Sequence, residues 1–306
     1  MIVLNDNFKV KLDYETYITI GSFDGLHKGH LSLINKTISL SKKNNAKSMV
    51  NTFKEHPLNT INKDIAPKII MDNETKIEML KNLGIDILNL CDFNEEMMRI
   101  SPKDYILNMI KCYNLKGIIT GFNHRFGYKN QGDVELLKKL SKEYKFELYI
   151  TEPVKINDTI VSSTNIRGYI SSGKISEAND MLLRPYFISG TVGHGKKIGR
   201  TMNFPTANLV YDKKFAVPGR GVYYTIVEYE GVLYKGITNI GINPTVGGSV
   251  LSVETYILNF NKDIYNKNIK VSFIRKIRDE IKFNNIVELK NQLEKDKHFA
   301  DKQKII

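Results

Sequence analysis

"TYITIGSFDGLHKGHLSLINKTISL", residues 16–40, decides the fold. "TYITI" reads as a strand and "LSLINKTISL" as a helix, with a glycine-rich turn between them. Gly21, Gly25 and Gly29 would let a phosphate-bearing ligand approach the backbone. The amides that open the following helix favour an anion. His27 and His30, three residues apart, can face one phosphate together and donate hydrogen bonds as charge grows on it. Phe23 and Asp24 belong to the same candidate phosphate-binding turn, Asp24 chiefly as its organiser.

Moving outward, the same strand–helix alternation continues. "AKSMVNTF" (46–53) is a predicted strand and "DNETKIEMLKNLG" (72–84) a predicted helix, capped by Asp72 or Asn73 and closed by Gly84. "IDILNL" (85–90) is a strand, and "SPKDYILNMIKCY" (101–113) a helix with a Ser cap and Pro at its first position. "LKGIITGF" (115–122), "GDVELLKKLSKEY" (132–144) and "KFELYIT" (145–151) extend the series. This β-α-β repetition predicts an α/β, Rossmann-like parallel sheet with ligands at the C-terminal ends of its strands. Beyond residue 185 the texture changes to short apolar segments punctuated by Gly, Pro and Asn: "YFISGTVG", "GVYYTIVEYEG", "VLYKGITNIG", "LSVETYILNF" and "IKVSFIRKI". They predict a small antiparallel β-barrel with a hairpin at "YEGV" (229–232), closed by a terminal helix over "NIVELKNQLEKDKHF". The expected division is 1–184 and 185–306.

Bulk composition narrows the function. A chain of 306 residues, 42% hydrophobic and 25% charged, is long enough for two cores and is not a disordered composition. It has no apolar run of membrane-spanning length and no signal-peptide pattern. The two cysteines, Cys91 and Cys112, lie in dissimilar contexts with no metal spacing, so a reduced, cytoplasmic enzyme is expected. The net charge of +12 is spread over helical surfaces such as "LLKKLSKEYK". That distribution argues against a nucleic-acid interface and fits attraction of polyanionic small molecules. Oligomerisation is left open.

Further polar segments fall at the predicted strand-to-helix turns. "TFKEHP" (52–57) follows the second strand, and "GFNHRFGYKNQGD" (121–133) offers Asn123 and Arg125 to a ligand, with His56 and His124 beside the site. "VSSTNIRG" (161–168) supplies Ser163, Thr164 and Arg167 before a helix, a set suited to a β,γ-phosphate or a departing pyrophosphate. Each alone would be an ordinary cap or turn; together they make a site. The second region has its own cluster in "SGTVGHGKKIGRTMNFPTANL" (189–209). Gly193, Gly195, Gly199 and Arg200 can fold over phosphates. Thr206 and Asn208 are candidates for Mg²⁺ and phosphate. Glu254, in "VETY", can accept a proton from an attacking hydroxyl. His194 and His298 read as surface or structural residues.

With these motifs assembled, the chain resembles the bacterial bifunctional riboflavin kinase/FMN adenylyltransferase (FAD synthetase) family over almost its whole length. "GSFDGLHKGH", "TFKEHP", "GFNHRFG" and "VSSTNIR" are similar to its nucleotidyltransferase motifs. "GRTMNFPTANL", "PGRGVYYT", "NIGINPTVGG", "SVETYIL" and "IRDEIKF" are similar to its kinase signature. The resemblance implies riboflavin, FMN, FAD and ATP as substrates and products, with Mg²⁺ as cofactor. It implies Glu254 as the base for phosphorylation of riboflavin. It gives His27, His30, Asn123, Ser163, Thr164 and Arg167 to adenylylation of FMN. The chain departs from the family pattern at His124, where an aromatic is usual, at Asn165, where a second arginine is usual, near Asn130, and at Asn203. A riboflavin kinase with weak or absent adenylyltransferase activity, and a flavin- or nucleotide-binding regulator, are the alternative readings.

Overall fold

A computed structural model of the chain describes residues 1–194, 204–245 and 248–305. The chain divides into two compact units, Met1–Ser162 and Ser163–Ile306.

In the first unit the strands are β1 (Ile2–Leu4), β2 (Thr16–Ile20), β3 (Lys47–Phe53), β4 (Ile87–Cys91), β5 (Leu115–Gly121) and β6 (Glu147–Thr151). The helices are α1 (Lys28–Lys43), α2 (Leu58–Ile61), α3 (Asn73–Leu83), α4 (Glu95–Arg99), α5 (Pro102–Tyr113) and α6 (Val134–Tyr144). A small hairpin, β7 (Lys155–Ile156) with β8 (Thr159–Ile160), follows. The six-stranded sheet runs β1-β4-β3-β2-β5-β6, and every pairing in it is parallel. Its central strands are buried on both faces, as crossover helices on both sides require: β2 and β4 expose no residue. Ile18, Ile20, Met49 and Ile118 pack with Tyr105, Ile106 and Met109 of α5 and Leu137 and Leu140 of α6 on one face. On the other, Val50 and Leu88 pack with Ile34 of α1 and Leu80 of α3.

The chain leaves β2 toward β3 and β4 on one side and returns to place β5 and β6 on the other. β2 and β5 therefore flank the topological switch point, where open α/β sheets bind ligands. The expected helices formed where their caps lie: Asp72 accepts from Thr75 N, Ser101 from Asp104 N, and Gly84 closes α3 in the left-handed conformation. The short elements β1, α2 and α4 carry too few residues to show a period.

In the second unit, α7 (Ser163–Ser171) and α8 (Ile175–Leu182) lead into β9 (Tyr186–Gly193), β10 (Thr206–Val210), β11 (Gly221–Tyr229), β12 (Val232–Thr245), β13 (Gly248–Ile257) and β14 (Asn268–Arg278), followed by α9 (Ile286–Asp301). The strands close into an antiparallel barrel in the order β10-β13-β12-β11-β14-β9. The hairpin between β11 and β12 turns through Glu230 and Gly231, both at positive φ as a type I′ turn requires. Helix α8 is tied to the barrel by Asn179, whose Nδ2 donates to the Phe273 and Ile274 carbonyls while its Oδ1 accepts from Tyr186 N. Thr225, Thr238 and Thr255 form a buried chain of hydroxyls, each 2.9 Å from the next.

Candidate active sites

The turn after β2 is built tightly. Asp24 accepts from Ile70 N and Met71 N, which fastens the turn to the segment before α3. Gly25 has φ +86°, and an added Cβ would lie 3.0 Å from Ile70, so both backbone and space demand glycine. Phe23 is fully buried in the core beneath the turn. Gly29 lies in the first turn of α1.

His27 is the N-cap of α1, and its Nδ1 accepts from His30 N at 3.2 Å. A bare Nδ1 places the proton of the neutral ring on Nε2. The two imidazoles stack at 3.6 Å with a 15° angle between planes. His30 is held well below its ordinary pKa, first by burial, then by His27 and by the nearby Lys76 ammonium. Among the described residues its Nδ1 is buried without a hydrogen-bond partner, which favours the tautomer protonated on Nε2. At neutral pH His30 is therefore an uncharged donor. Lys76, from α3, is itself buried and donates to the Ser22 carbonyl at 3.3 Å. Burial lowers its pKa, while Asp24 and Asp72 act in the opposite sense.

Beside this turn, at the C-terminal ends of the strands, lies a cavity of about 630 Å³. Gly21 and Ser22, Asn51 to Phe53 and His56 reach it, as do the segments 93–105 and 124–130. Phe53, Phe93, Met97, Ile100 and Phe126 make much of its wall apolar, and Arg125 and Lys129 contribute cations. His124 lines it, stacked on Phe126 at 5.9 Å. Burial lowers its pKa to about 4, so it too is neutral at pH 7, and its Nε2 is buried without a partner among the described residues. Asn123 is exposed at the same turn. Ser163, Thr164 and Arg167 fall in the first turns of α7, in the second unit.

The second candidate site lies on the outer wall of the barrel and is assembled by register. Asn208 pairs with Glu254, and Glu254 with Asn239; Thr206 pairs with Tyr256, and Tyr256 with Ile237. Directly opposed residues share a face, and alternate residues repeat it. So Thr206, Asn208, Glu254 and Asn239 stand together across β10, β13 and β12. Gly193 is opposite Asn208 on β9. A cavity of about 340 Å³ includes Thr206, Asn239, Glu254 and Tyr256, with Phe283, Leu289 and Leu293 covering it from the C-terminal segment. Arg278 of β14 fixes α9 over this cavity through Asp296, which is 2% exposed and accepts from Nη2 at 2.7 Å and from Nε at 3.0 Å. Thr206 also borders a second cavity of about 810 Å³, lined by Tyr256, Phe260, Lys262 and Tyr265. Gly195, Gly199 and Arg200 lie outside the described residues.

Sequence reading did not single out Asn239, Arg278 and Asp296 here, nor Asn51, Lys76 and Tyr105 in the first unit. Asn239 opens the quoted "NIGINPTVGG" segment, Arg278 falls in "IRDEIKF" and Asp296 in the terminal helical stretch, so the segments were marked but these residues were not. What each of these residues does becomes visible only through pairing across strands and helices.

The two units define a class: a nucleotide-binding α/β unit followed by a phosphotransfer-type barrel. Comparison with known proteins agrees. The FAD synthetase family model matches residues 9–165 and the riboflavin kinase model residues 182–304. The bifunctional riboflavin kinase/FMN adenylyltransferase of Buchnera aphidicola from Acyrthosiphon pisum is 37% identical over 290 residues, 94% of this chain and 92% of that protein. The Bacillus subtilis protein of the same description is 34% identical over the same shares. A crystal structure described as a macrolide-efflux protein from Streptococcus pneumoniae superposes with a TM-score of 0.90, at 30% identity, covering 99% of this chain and 100% of that one. In this chain no helix among the described residues is long and apolar enough to cross a membrane. The chain belongs to the bifunctional riboflavin kinase/FMN adenylyltransferase family.

Proposed function

We propose that the chain makes both flavin cofactors, phosphorylating riboflavin to FMN in the barrel and adenylylating FMN to FAD in the α/β unit, with the functional division near residue 185. The observation that carries this reading is two separate cavities, each holding a different chemical set. One has Glu254 beside Thr206 and Asn239. The other lies at the switch point of the sheet, next to the stacked His27–His30 pair.

In the barrel, the ribityl 5′-hydroxyl of riboflavin attacks the γ-phosphorus of ATP while Glu254 takes its proton, and ADP leaves. Ile237, Tyr256, Phe283 and Leu289 suit the tricyclic ring. The oxygen donors Thr206 and Asn208 fit Mg²⁺, a hard cation that prefers oxygen ligands, retained waters and substrate phosphates to an all-protein cage. The described residues contain no His/Cys/Asp/Glu cluster able to form such a cage. Bound there, Mg²⁺ would neutralise phosphate charge. Gly193 is assigned to phosphate on its motif and place, and Gly195, Gly199 and Arg200 on the motif alone.

In the α/β unit, an oxygen of the FMN phosphate attacks the α-phosphorus of ATP and pyrophosphate leaves. The nucleophile is already an anion, so alignment and hydrogen bonding carry the catalysis. His27 and His30 donate from Nε2 to the α-phosphate. The turn Gly21–Gly29, with Phe23, Asp24 and Gly25 shaping it, presents the opening amides of α1. Asn123, Ser163, Thr164 and Arg167 are given to phosphate by their motifs. A cytoplasmic setting fits two buried free thiols.

A second reading, a kinase with weak adenylyl transfer, is favoured by one observation: His124, where the resemblance implies an aromatic, presents a buried nitrogen with no partner among the described residues. Incubation with riboflavin, ATP and Mg²⁺ followed by chromatography of the flavins decides. FAD supports both activities, FMN alone the second reading, and unchanged riboflavin contradicts both.

A further inference from the structure

Beneath the 630 Å³ cavity runs a chain of buried side-chain amides and hydroxyls that the motifs do not include. It starts at the backbone of Asp6. Asp6 N donates to Asn89 Oδ1 at 3.0 Å, and Asn89 Nδ2 donates back to the Asp6 carbonyl at 2.9 Å. This two-point pairing leaves the Asn89 amide only one orientation. Asn89 Nδ2 also donates to Asn51 Oδ1 at 2.8 Å, and the Cys91 thiol donates to the same oxygen at 3.2 Å. Asn51 is thereby fixed as well, with its Nδ2 turned to the Tyr105 hydroxyl at 3.0 Å. Tyr113 braces the start of the chain, donating to Asp6 Oδ2 at 2.8 Å. Asn89 is fully buried, Asn51 is 3% exposed and Tyr105 6%.

The direction of these bonds has a chemical consequence. An amide Nδ2 has no lone pair to offer, so at this contact the Tyr105 oxygen accepts. Its own hydrogen must find an acceptor elsewhere. Among the described residues no acceptor is in hydrogen-bond reach of it. The ring is held between Phe8, edge-on at 5.4 Å, and Phe126 at 5.9 Å, and neither offers one. Both Asn51 and Tyr105 line the cavity. A buried donor left unmatched is costly, so this one is matched by whatever fills the cavity.

We infer that Asn89 and Asn51 are positioning residues that lock the Tyr105 hydroxyl as a hydrogen-bond donor toward the flavin ring of FMN during adenylyl transfer, so that the site selects a ring edge bearing a carbonyl oxygen or bare ring nitrogen. The inference rests on the adenylyltransferase reading above. It also makes the N-terminal segment, through Asp6, part of the machinery that sets this polarity. Replacing Asn51 by Asp reverses the relay. A carboxylate keeps the donations from Asn89 and Cys91 but accepts from Tyr105, diverting its hydrogen from the ligand.

The test uses the full chain, with FAD formation from FMN and ATP as one readout and quenching of FMN fluorescence as the other. Tyr105→Phe is expected to raise both the KM and the Kd for FMN about five- to tenfold, the worth of one ligand hydrogen bond, leaving kcat and the KM for ATP in place. Asn51→Asp is expected to raise them at least as much. Adding Tyr105→Phe to Asn51→Asp is expected to change nothing further, because the hydrogen is already diverted; simple loss of packing would add instead. The barrel contributes equally to FMN quenching in every variant. Unchanged KM and Kd in Tyr105→Phe, or additive effects in the double variant, would overturn the inference. If the wild-type chain forms no FAD but Tyr105→Phe still weakens FMN quenching, the donor assignment stands and the adenylyltransferase reading falls.

Discussion

The two sites use opposite construction. In the α/β unit the proposed chemistry sits on turns at the ends of strands, where His30 is held neutral by burial and by its neighbours and His124 by burial. In the barrel it sits in mid-strand, and β-sheet register alone brings Thr206, Asn208, Asn239 and Glu254 together. The difference follows the nucleophile. A phosphate anion needs donors and alignment, whereas a hydroxyl needs a group to remove its proton.

The contrast can be broken most forcefully at the reacting groups. Glu254→Gln is expected to slow FMN formation from riboflavin by about 10²–10⁴-fold, the usual worth of a general base, and to leave conversion of FMN to FAD intact. His30→Ala is expected to slow FAD formation by about 10²–10³-fold and spare the kinase. Steady-state assays with riboflavin or FMN as the supplied flavin check both. Next in size is the bridge that holds α9. Asp296→Asn leaves Arg278 without its buried carboxylate partner, at an expected cost of about 3 kcal/mol to the barrel, read by denaturant unfolding, with a raised KM for riboflavin.

A smaller effect separates the units by pH. His124 is neutral in the folded chain down to about pH 4, whereas its unfolded form takes up a proton near pH 6.5. Between those values the unfolded state binds more protons, so this residue makes stability rise with pH and fall as acid is added. The contribution is up to about 1.4 kcal/mol per pH unit. His124→Phe is expected to flatten that part of the stability–pH curve, with His30 leaving a residual slope. The smallest expected change is Gly25→Ala, about 1 kcal/mol or somewhat more because φ is +86° there, read as a lower melting temperature.

How far the sequence could be read follows the same contrast. The turn after β2 was legible because its parts are neighbours in the chain: glycines, histidines and the start of α1 lie within ten residues. Even there, the capping of α1 by the His27 side chain and the support from Lys76 at 3.3 Å from the Ser22 carbonyl were not visible. The parallel sheet was legible from its alternating periods, while β1 and α2 were too short to carry one. In the barrel, the strand pattern predicted closure, but "PTAN" was read as a motif and not as the strand β10. Asn239 faces Glu254 only through antiparallel register, and the Asn89–Asn51–Tyr105 chain spans three elements far apart in sequence. Such pairings depend on which strands and helices are neighbours, which no local pattern states.

The proposal that two separate sites carry the two chemistries is tested most directly by mixing Glu254→Gln with His30→Ala in the presence of riboflavin, ATP and Mg²⁺, so that FMN made at one site is consumed at the other. Neither variant alone is expected to make appreciable FAD from riboflavin, and the mixture is expected to make it, with FMN appearing first. A mixture that accumulates no more FAD than its parts would contradict the account.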